Sequence, residues 1–149
     1  MRAVVQRVRS ASVDVDGRTT ARIARGLLVF VAVGRDDVQV DIDYIANKIR
    51  TLRLFEDNEG KMNRSLTDVG GTVLVVSEFT LFGDCRRGRR PSFDGAAPPS
   101  AARAVYDMLI DALRTAGVRV EVGVFRAMME IKLVNDGPVT VLLDSARSF

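Results

Sequence analysis

The segment Asn135-Asp136-Gly137-Pro138-Val139-Thr140 places a Gly-Pro step inside an otherwise continuous strand pattern, which runs through residues 128–134 and resumes at 141–143. Proline has no backbone N–H to give to a β-ladder, so it is excluded from strand centres. The glycine before it leaves the main chain bare and lets a ligand come close. The segment has two interpretations, because Asn-Asp-Gly-Pro is favourable hairpin-turn chemistry and a bare backbone also suits a binding site. The hexapeptide alone favours the turn.

The composition predicts one globular domain over residues 1–149, with 47% hydrophobic and 28% charged residues. The longest apolar run, residues 27–33, is far too short to cross a bilayer. Arg2 and Arg7 interrupt the first apolar residues, so no signal-peptide core is expected. Cys85 is the single cysteine, which excludes an internal disulfide and favours a cytoplasmic location.

The charged residues limit the chemistry available to the chain. Only three of the 22 basic residues are lysines, and the planar fork of arginine suits phosphate, although a high-GC genome explains the same bias. There is no histidine, which removes Ser-His-Asp and Cys-His machineries and the usual zinc sites. Any reaction must therefore use main-chain groups, hydroxyls, carboxylates or the substrate itself, and neither a metal nor a cofactor is expected.

Hydrophobic spacing predicts the order of the secondary structure. Alternating or unbroken apolar residues predict strands at 3–8, 11–15, 20–23, 27–33, 72–76 and 118–122. Helical spacing predicts amphipathic helices at 38–52 and 98–116. The order of β-rich region, helix, strand, helix and β-rich region predicts an α+β domain with two main helices and a curved, barrel-like antiparallel or mixed sheet.

A second polar segment, Ser77-Glu78-Phe79-Thr80-Leu81, follows the predicted strand at 72–76. In a regular strand Ser77 and Thr80 face opposite sides, so they can share a site only if the strand ends or bulges there. The segment is either a polar strand end that reaches water or a functional site. A Ser or Thr nucleophile would need a base, and none is evident nearby in the sequence. Backbone N–H groups at the strand end could instead form an oxyanion hole.

Together the two segments resemble the paired signature of the D-aminoacyl-tRNA deacylases, also called D-tyrosyl-tRNA deacylases. The resemblance runs nearly end to end, and only the segment after Ser145 lies outside it, so residues 146–149 are predicted to be a loose tail. Its other motifs are Gln6-Arg7-Val8, Ala11-Ser12-Val13, Glu59-Gly60-Lys61-Met62-Asn63, Gly71, Val73-Leu74-Val75-Val76, Arg90-Pro91-Ser92-Phe93 and Leu133-Val134.

The resemblance implies a hydrolase that cleaves the ester between a D-amino acid, or wrongly attached glycine, and the terminal adenosine of tRNA. It also implies a homodimer with its active sites at the interface. The Gly137-Pro138 bond is then cis and projects into the partner's pocket, where its carbonyl oxygens receive the substrate's α-amino group and exclude an L side chain. The supporting residues implied are Asn135, Val139, Thr140 and Met129.

The resemblance further implies that the substrate's own ribose hydroxyl assists the reaction, while the protein supplies positioning and oxyanion stabilisation. Ser77, Glu78, Phe79 and Thr80 are then the catalytic segment, with the amides of Glu78 and Phe79 as oxyanion donors. Thr80 as a nucleophile is the alternative within the family. The family usually has glutamine at the position of Glu78, and an ionised carboxylate cannot donate the hydrogen bond of an amide.

Five arginines are candidates for contact with tRNA phosphates, although solvated side chains explain them equally well: Arg86, Arg87, Arg89, Arg90 and Arg126. Arg126 stands where the family generally has a small residue. Two other functions remain open. A tRNA- or RNA-binding module without catalysis is favoured by Glu78, and a hydrolase of small esters would use Thr80 as its nucleophile.

Overall fold

The computed structural model describes residues 1–148, and Phe149 of the predicted tail lies outside the described residues. The main sheet contains β1 Arg2–Val15, β2 Arg18–Ile23, β3 Gly26–Ala32, β6 Thr72–Ser77, β7 Arg119–Val122 and β8 Glu130–Asp144. A small hairpin contains β4 Phe55–Glu56 and β5 Met62–Arg64, and the helices are α1 Gln39–Thr51 and α2 Pro99–Thr115. A short 3₁₀ helix, Phe79–Phe82, follows β6 directly.

The sheet is mixed and curves into a nearly closed barrel, as the sequence predicted. Its strand order is β2-β1-β3-β6-β7, and β8 pairs with the other edge of β1. β1 pairs antiparallel with β2, β3 and β8. β3 pairs parallel with β6, and β6 pairs parallel with β7. The two predicted strands at 3–8 and 11–15 are one long strand, because β8 pairs along nearly its whole length.

Two apolar clusters lie on opposite faces of the sheet. The larger one packs the inner stripes of α1 and α2, including Ile45 and Leu109, against alternate residues of the strands. The smaller one lies inside the curve of the sheet and includes Val13, Leu28 and Leu74. β3 and β6 are therefore buried on both faces, which explains why their sequences are continuous apolar runs rather than alternating ones.

Both helices confirm the predicted periodicity, and their ends have local causes. α2 begins with Pro99, whose missing N–H costs nothing in a first turn. The chain leaves this helix at Gly117, which has φ +82°. At the end of the described chain, the amides of Ala146 and Ser148 donate to the Asp144 carboxylate.

Candidate active site

The Gly-Pro segment is a bulge in β8 and not a hairpin turn. β8 pairs with β1 on both sides of it, with Asn135 opposite Val8 and Thr140 opposite Gln6. One residue of β1, Arg7, therefore faces the four residues 136–139 of β8, which must leave the ladder. The hairpin interpretation is wrong because a hairpin would pair the two flanking runs with each other. We call residues 136–139 the Gly-Pro bulge.

The exposed part of the Gly-Pro bulge has a backbone that only glycine can adopt. Gly137 has φ +153°, and a Cβ built there would lie 2.6 Å from the amide nitrogen of Val139. Both are incompatible with an L side chain. Gly137 and Pro138 are exposed, and the peptide bond between them is cis. The bulge therefore presents bare main chain at the protein surface.

The side-chain amide of Asn135 closes the base of the bulge. Its oxygen accepts the N–H of Val139 at 3.2 Å, and its nitrogen donates to the carbonyl of Val139 at 3.1 Å. The same nitrogen donates to the side-chain oxygen of Gln6 at 3.2 Å. Thr140, which is exposed, then rejoins the ladder opposite Gln6. Of the predicted supporting residues, Asn135, Val139 and Thr140 lie at this bulge.

Arg7 holds the other side of the bulge, a role that is not among the sequence-based predictions. Its side chain is buried, its Nε donates to the carbonyl of Asp136 at 2.8 Å, and its Nη1 donates to the carbonyl of Leu54 at 2.6 Å. The carboxylates of Asp136 and Glu56 lie 3.4 and 3.7 Å away. A buried guanidinium with this many partners fixes the groups around it. The sequence signal for this role was an arginine at an inward-facing position of a strand whose other inward-facing residues are apolar.

The second predicted segment begins where β6 ends. Ser77 is the last residue of the strand, and the N–H of Glu78 donates to the carbonyl of Val31 at 2.8 Å. That amide is therefore already paired, although it was one of two expected oxyanion donors. Within residues 1–148 the amides of Phe79 and Thr80 have no acceptor. The main-chain donors available to a ligand at this strand end are thus those of Phe79 and Thr80.

Glu78 and Thr80 form a side-chain pair that places a carboxylate against a hydroxyl. The hydroxyl of Thr80 donates to the carboxylate of Glu78. An ionised carboxylate only accepts hydrogen bonds, so the hydroxyl hydrogen is committed to Glu78 and the oxygen lone pairs of Thr80 remain available. Thr80 is exposed and Glu78 is half-buried, so the pair can be reached from solvent.

An aromatic surface adjoins this pair. The rings of Phe79 and Phe93 meet edge to face with centroids 5.1 Å apart, and both side chains are exposed. Exposed aromatic faces of this kind are suited to stacking a flat, partly apolar group such as a nucleobase. Phe82, at the end of the 3₁₀ helix, lies under the guanidinium of Arg2, whose Cζ is 4.6 Å from the ring centroid.

The arginine loop, residues 84–92, lies between Phe82 and Phe93 in the sequence. Two backbone hydrogen bonds between Asp84 and Ser92, of 2.7 and 3.0 Å, close it. Arg86 is bound by Asp84 through its guanidinium, and this contact holds the pKa of the Asp84 carboxyl below its ordinary value. The other three arginines are exposed and have no ion pair in the described part of the chain: Arg87, Arg89 and Arg90.

Two further predicted residues lie in the segment that precedes β8. Arg126 is exposed, has φ +65° and makes no ion pair with the residues described here. Met129 packs on the inner cluster that includes Leu74 and Val76. Met129 therefore lies on the side of the β6 strand end and not beside the Gly-Pro bulge.

The two predicted segments do not form one site within the chain. β1 and β3 lie between β8 and β6, which separates them sideways by roughly 14 Å. The two segments are also displaced along the strands. Gly137 lies beside Arg7, which pairs with Leu27 of β3, and Leu27 pairs in turn with Val73 of β6. Ser77 is four residues beyond Val73, or roughly 13 Å further along β6. No hydrogen bond joins the two segments among residues 1–148. Within one chain the two segments therefore stand apart.

The described residues contain no cluster of three or more metal-ligating side chains. Over the same residues, no helix has the length and apolar character needed to cross a membrane. The two segments carry the hydroxyls of Ser77, Thr80 and Thr140 and the carboxylates of Glu78 and Asp136, together with their main-chain amides and carbonyls.

Comparison with known proteins identifies the family. The sequence profile of D-Tyr-tRNA(Tyr) deacylase matches residues 4–144. A D-aminoacyl-tRNA deacylase from Thermotoga petrophila is 58% identical over the full length of both chains. Among solved structures, the c-Myc DNA Unwinding Element Binding Protein is similar to this chain with a TM-score of 0.92 and 38% identity, and the match covers 97% of this chain and 98% of that protein's chain. A probable eukaryotic D-amino acid tRNA deacylase has the same fold, with a TM-score of 0.84 at 18% identity over 95% of this chain and 97% of its own. The chain belongs to the D-Tyr-tRNA(Tyr) deacylase family.

Proposed function

We propose that this protein removes D-amino acids, and glycine attached to the wrong tRNA, from the terminal adenosine of tRNA. Membership of the family makes the chain a hydrolase of the aminoacyl-tRNA ester bond. The observation that carries the finer proposal is the Gly-Pro bulge, a fixed and exposed stretch of bare backbone. The sole cysteine and the tRNA substrate are consistent with action in the cytoplasm.

The bulge selects the substrate by excluding one hand of amino acid. The carbonyl oxygens of Gly137 and Pro138 accept hydrogen bonds from the substrate's α-ammonium group, which fixes the amino acid at its α-carbon. In this pose an L side chain points into the protein backbone, whereas a D side chain points away from it. Glycine has no side chain to exclude, so it is also accepted. Asn135 and Arg7 support this role because they fix the bulge from both sides.

A second copy of the chain completes the site. The bulge and the Ser77–Thr80 segment are separated by two strands within one chain, so the bulge of one protomer has to meet the strand end of its partner. A two-fold axis makes this contact reciprocal and gives two equivalent active sites. The proposed assembly is therefore a homodimer with its active sites at the interface.

The hydrolysis uses the substrate's ribose and the main chain at the β6 strand end. Water attacks the ester carbonyl carbon and gives its proton to the ribose, whose neighbouring hydroxyl relays it. The negative charge on the carbonyl oxygen is stabilised by the free amide of Phe79. The bond between the carbonyl carbon and the ribose oxygen then breaks, and that oxygen leaves as a hydroxyl. Ser77, Glu78 and Thr80 shape the site around this geometry.

The end of the tRNA is held beside this centre. Phe79 and Phe93 form a wall for the terminal adenine. Arg87, Arg89 and Arg90 lie on the adjoining loop and form no ion pair with residues 1–148, so their charges suit phosphates, and Arg126 is a further candidate. Arg86 contributes less, because Asp84 already uses its guanidinium.

The direct test compares D-tyrosyl-tRNA with L-tyrosyl-tRNA. The purified protein is expected to release D-tyrosine and leave the L ester intact at the same enzyme concentration. D-Tyrosyl-tRNA that survives under conditions where a known deacylase clears it would contradict the proposal. A purely tRNA-binding function, which the carboxylate at Glu78 favours, would retain tRNA affinity without hydrolysis, and Glu78→Gln would then restore turnover.

A hydrolase with Thr80 as its nucleophile makes a different prediction. The Thr80–Glu78 hydrogen bond is the observation that favours it. Thr80→Ala would abolish turnover in that mechanism, whereas the ribose-assisted reaction keeps a measurable rate. Loss of activity on a D-aminoacyl-tRNA that ends in 2′-deoxyadenosine supports the ribose-assisted reaction.

A further inference from the structure

A shallow groove on the surface of β1, β2 and β8 carries cations that the proposed reaction does not use. Its volume is about 290 Å³, and its polar lining consists of Ser10, Ser12, Arg22 and Lys132. Of its lining residues, the apolar Val134 is the nearest in sequence to the Gly-Pro bulge. Two hydroxyls and two cations around one concave surface are the donor set of an anion site.

The register of the sheet brings these groups into one row. Ser12 lies directly opposite Arg22 on β2 and directly opposite Lys132 on β8. Residues paired in this way project from the same face with Cβ atoms roughly 5 Å apart. The two cations therefore stand on either side of a hydroxyl, roughly 10 Å apart at the backbone, and their long side chains can converge on one anion.

The groove retains free donors after its internal contacts are counted. The ammonium group of Lys132 donates to the Asp14 carboxylate at 2.7 Å, which raises the pKa of Lys132 and leaves two of its three hydrogens available. Thr19 also donates to Asp14. Arg22 is exposed and has no hydrogen bond or ion pair to any residue from 1 to 148, so all five of its donors are free.

The position of the groove relates it to the substrate. Val134 precedes Asn135, and Lys132 is five residues before Gly137 on β8, or roughly 17 Å along an extended strand. A nucleic acid whose terminal nucleotide lies at the bulge can reach this far with its preceding phosphates. We propose that the groove of Ser12, Arg22 and Lys132 binds a backbone phosphate of the tRNA acceptor end. This inference rests on the proposed function.

The test separates tRNA from its terminal nucleoside. Arg22→Ala is compared with Arg18→Ala, which removes an exposed arginine from the same strand but outside the groove. Two substrates are used, D-tyrosyl-tRNA and the D-tyrosyl ester of adenosine. Arg22→Ala is expected to raise KM for the tRNA roughly tenfold with kcat unchanged, and to leave hydrolysis of the adenosine ester as in the parent. Arg18→Ala is expected to change neither.

A binding measurement gives an independent readout. The binding constant for uncharged tRNA is measured at several salt concentrations, and its logarithm is plotted against the logarithm of the salt concentration. The magnitude of the slope is expected to fall by about one in Arg22→Ala, the value for one lost phosphate contact. Equal slopes in Arg22→Ala and the parent would contradict the proposal that the groove binds phosphate. Equal losses of tRNA affinity in Arg22→Ala and Arg18→Ala would contradict it as well. Failure of the parent to hydrolyse D-tyrosyl-tRNA would instead contradict the proposed function, and the salt slope would still decide whether the groove binds phosphate.

Discussion

The Gly-Pro bulge and the arginine loop are both exposed departures from regular structure, but they are held in different ways. The bulge is fixed from inside by the buried guanidinium of Arg7 and by the side-chain amide of Asn135. The loop is closed by a backbone bridge between Asp84 and Ser92, and the ion pair of Arg86 with Asp84 lies on the surface. Discrimination between mirror images needs atoms at fixed positions, whereas attraction of a polyanion needs only charge. The difference in internal support thus follows the difference in proposed task.

The largest expected effect comes from removing the internal support of the bulge. Arg7→Ala leaves the carbonyls of Asp136 and Leu54 without their buried donor and leaves Arg9 as the only arginine paired with the Asp136 carboxylate among residues 1–148, so we expect a loss of about 3–5 kcal/mol in the free energy of unfolding. Arg86→Ala in the loop breaks a fully exposed pair and is expected to leave the free energy of unfolding close to that of the parent. Urea unfolding of the two variants measures both. Equal losses would remove the contrast between the two regions.

A smaller but specific effect is expected from a methyl group at the bulge. Gly137→Ala places a Cβ against the amide of Val139 in a backbone conformation that alanine avoids, which displaces the carbonyls of the bulge. We expect kcat/KM for D-tyrosyl-tRNA to fall about 100-fold, equivalent to about 2.7 kcal/mol.

Gly88→Ala is the matched control for this variant. Gly88 also has a positive φ, +69°, but a Cβ there meets nothing within 4 Å. Its effect on kcat/KM is expected to be less than about threefold, because the proposed mechanism gives the arginine loop no part in positioning the reacting ester. A Gly137→Ala protein with parental activity would show that the bulge does not set the geometry of the substrate.

The loop arginines are expected to contribute affinity that depends on salt. Arg89→Ala removes an exposed, unpaired charge, so KM for D-tyrosyl-tRNA should rise by a few fold at low ionic strength and by less at high ionic strength. Turnover at saturating substrate should not change. A fall in kcat that persists in high salt would assign this residue a role in the chemistry rather than in attraction.

The smallest expected effect is the titration of Asp84. Arg86 holds the pKa of this carboxyl below its ordinary value of 3.8, so the pair stabilises the loop above that pH and is lost as the pH falls through the lowered value. In Arg86→Ala the pKa should return toward the ordinary value. NMR titration of the side-chain carboxyl measures it, and an unchanged pKa would mean that Arg86 is not its partner in solution.

The sequence predicted the elements well because their signals are local. The stripe of Ile42, Ile45 and Ile49 and the unbroken apolar residues of β3 each reflect burial on defined faces. The strand end at Ser77 was also recognisable as a place where polar residues follow a buried strand.

The support of the site was less visible, because it depends on contacts between distant parts of the chain. Arg7 and Asp136 are 129 positions apart, and nothing local to either indicates their hydrogen bond. The hairpin interpretation of Asn-Asp-Gly-Pro had correct local chemistry but lacked the long-range pairing with β1, which shows that the strand continues. The paired amide of Glu78 likewise depends on its neighbour Val31 across the sheet.

The central claim is that the bulge of one protomer completes the active site of another, and mixing two inactive variants tests it most directly. Gly137→Ala disrupts the bulge, and Phe79→Pro removes the free amide at a position where proline is tolerated. After unfolding and refolding together, half of the dimers should contain both variants, each with one intact site.

The mixture is therefore predicted to recover about a quarter of the parental activity on D-tyrosyl-tRNA, although each variant alone is nearly inactive. Parent refolded with the Gly137→Ala/Phe79→Pro double variant controls for subunit exchange, since its mixed dimers contain no intact site. A mixture of the two single variants that stays as inactive as its components would contradict a site shared between protomers.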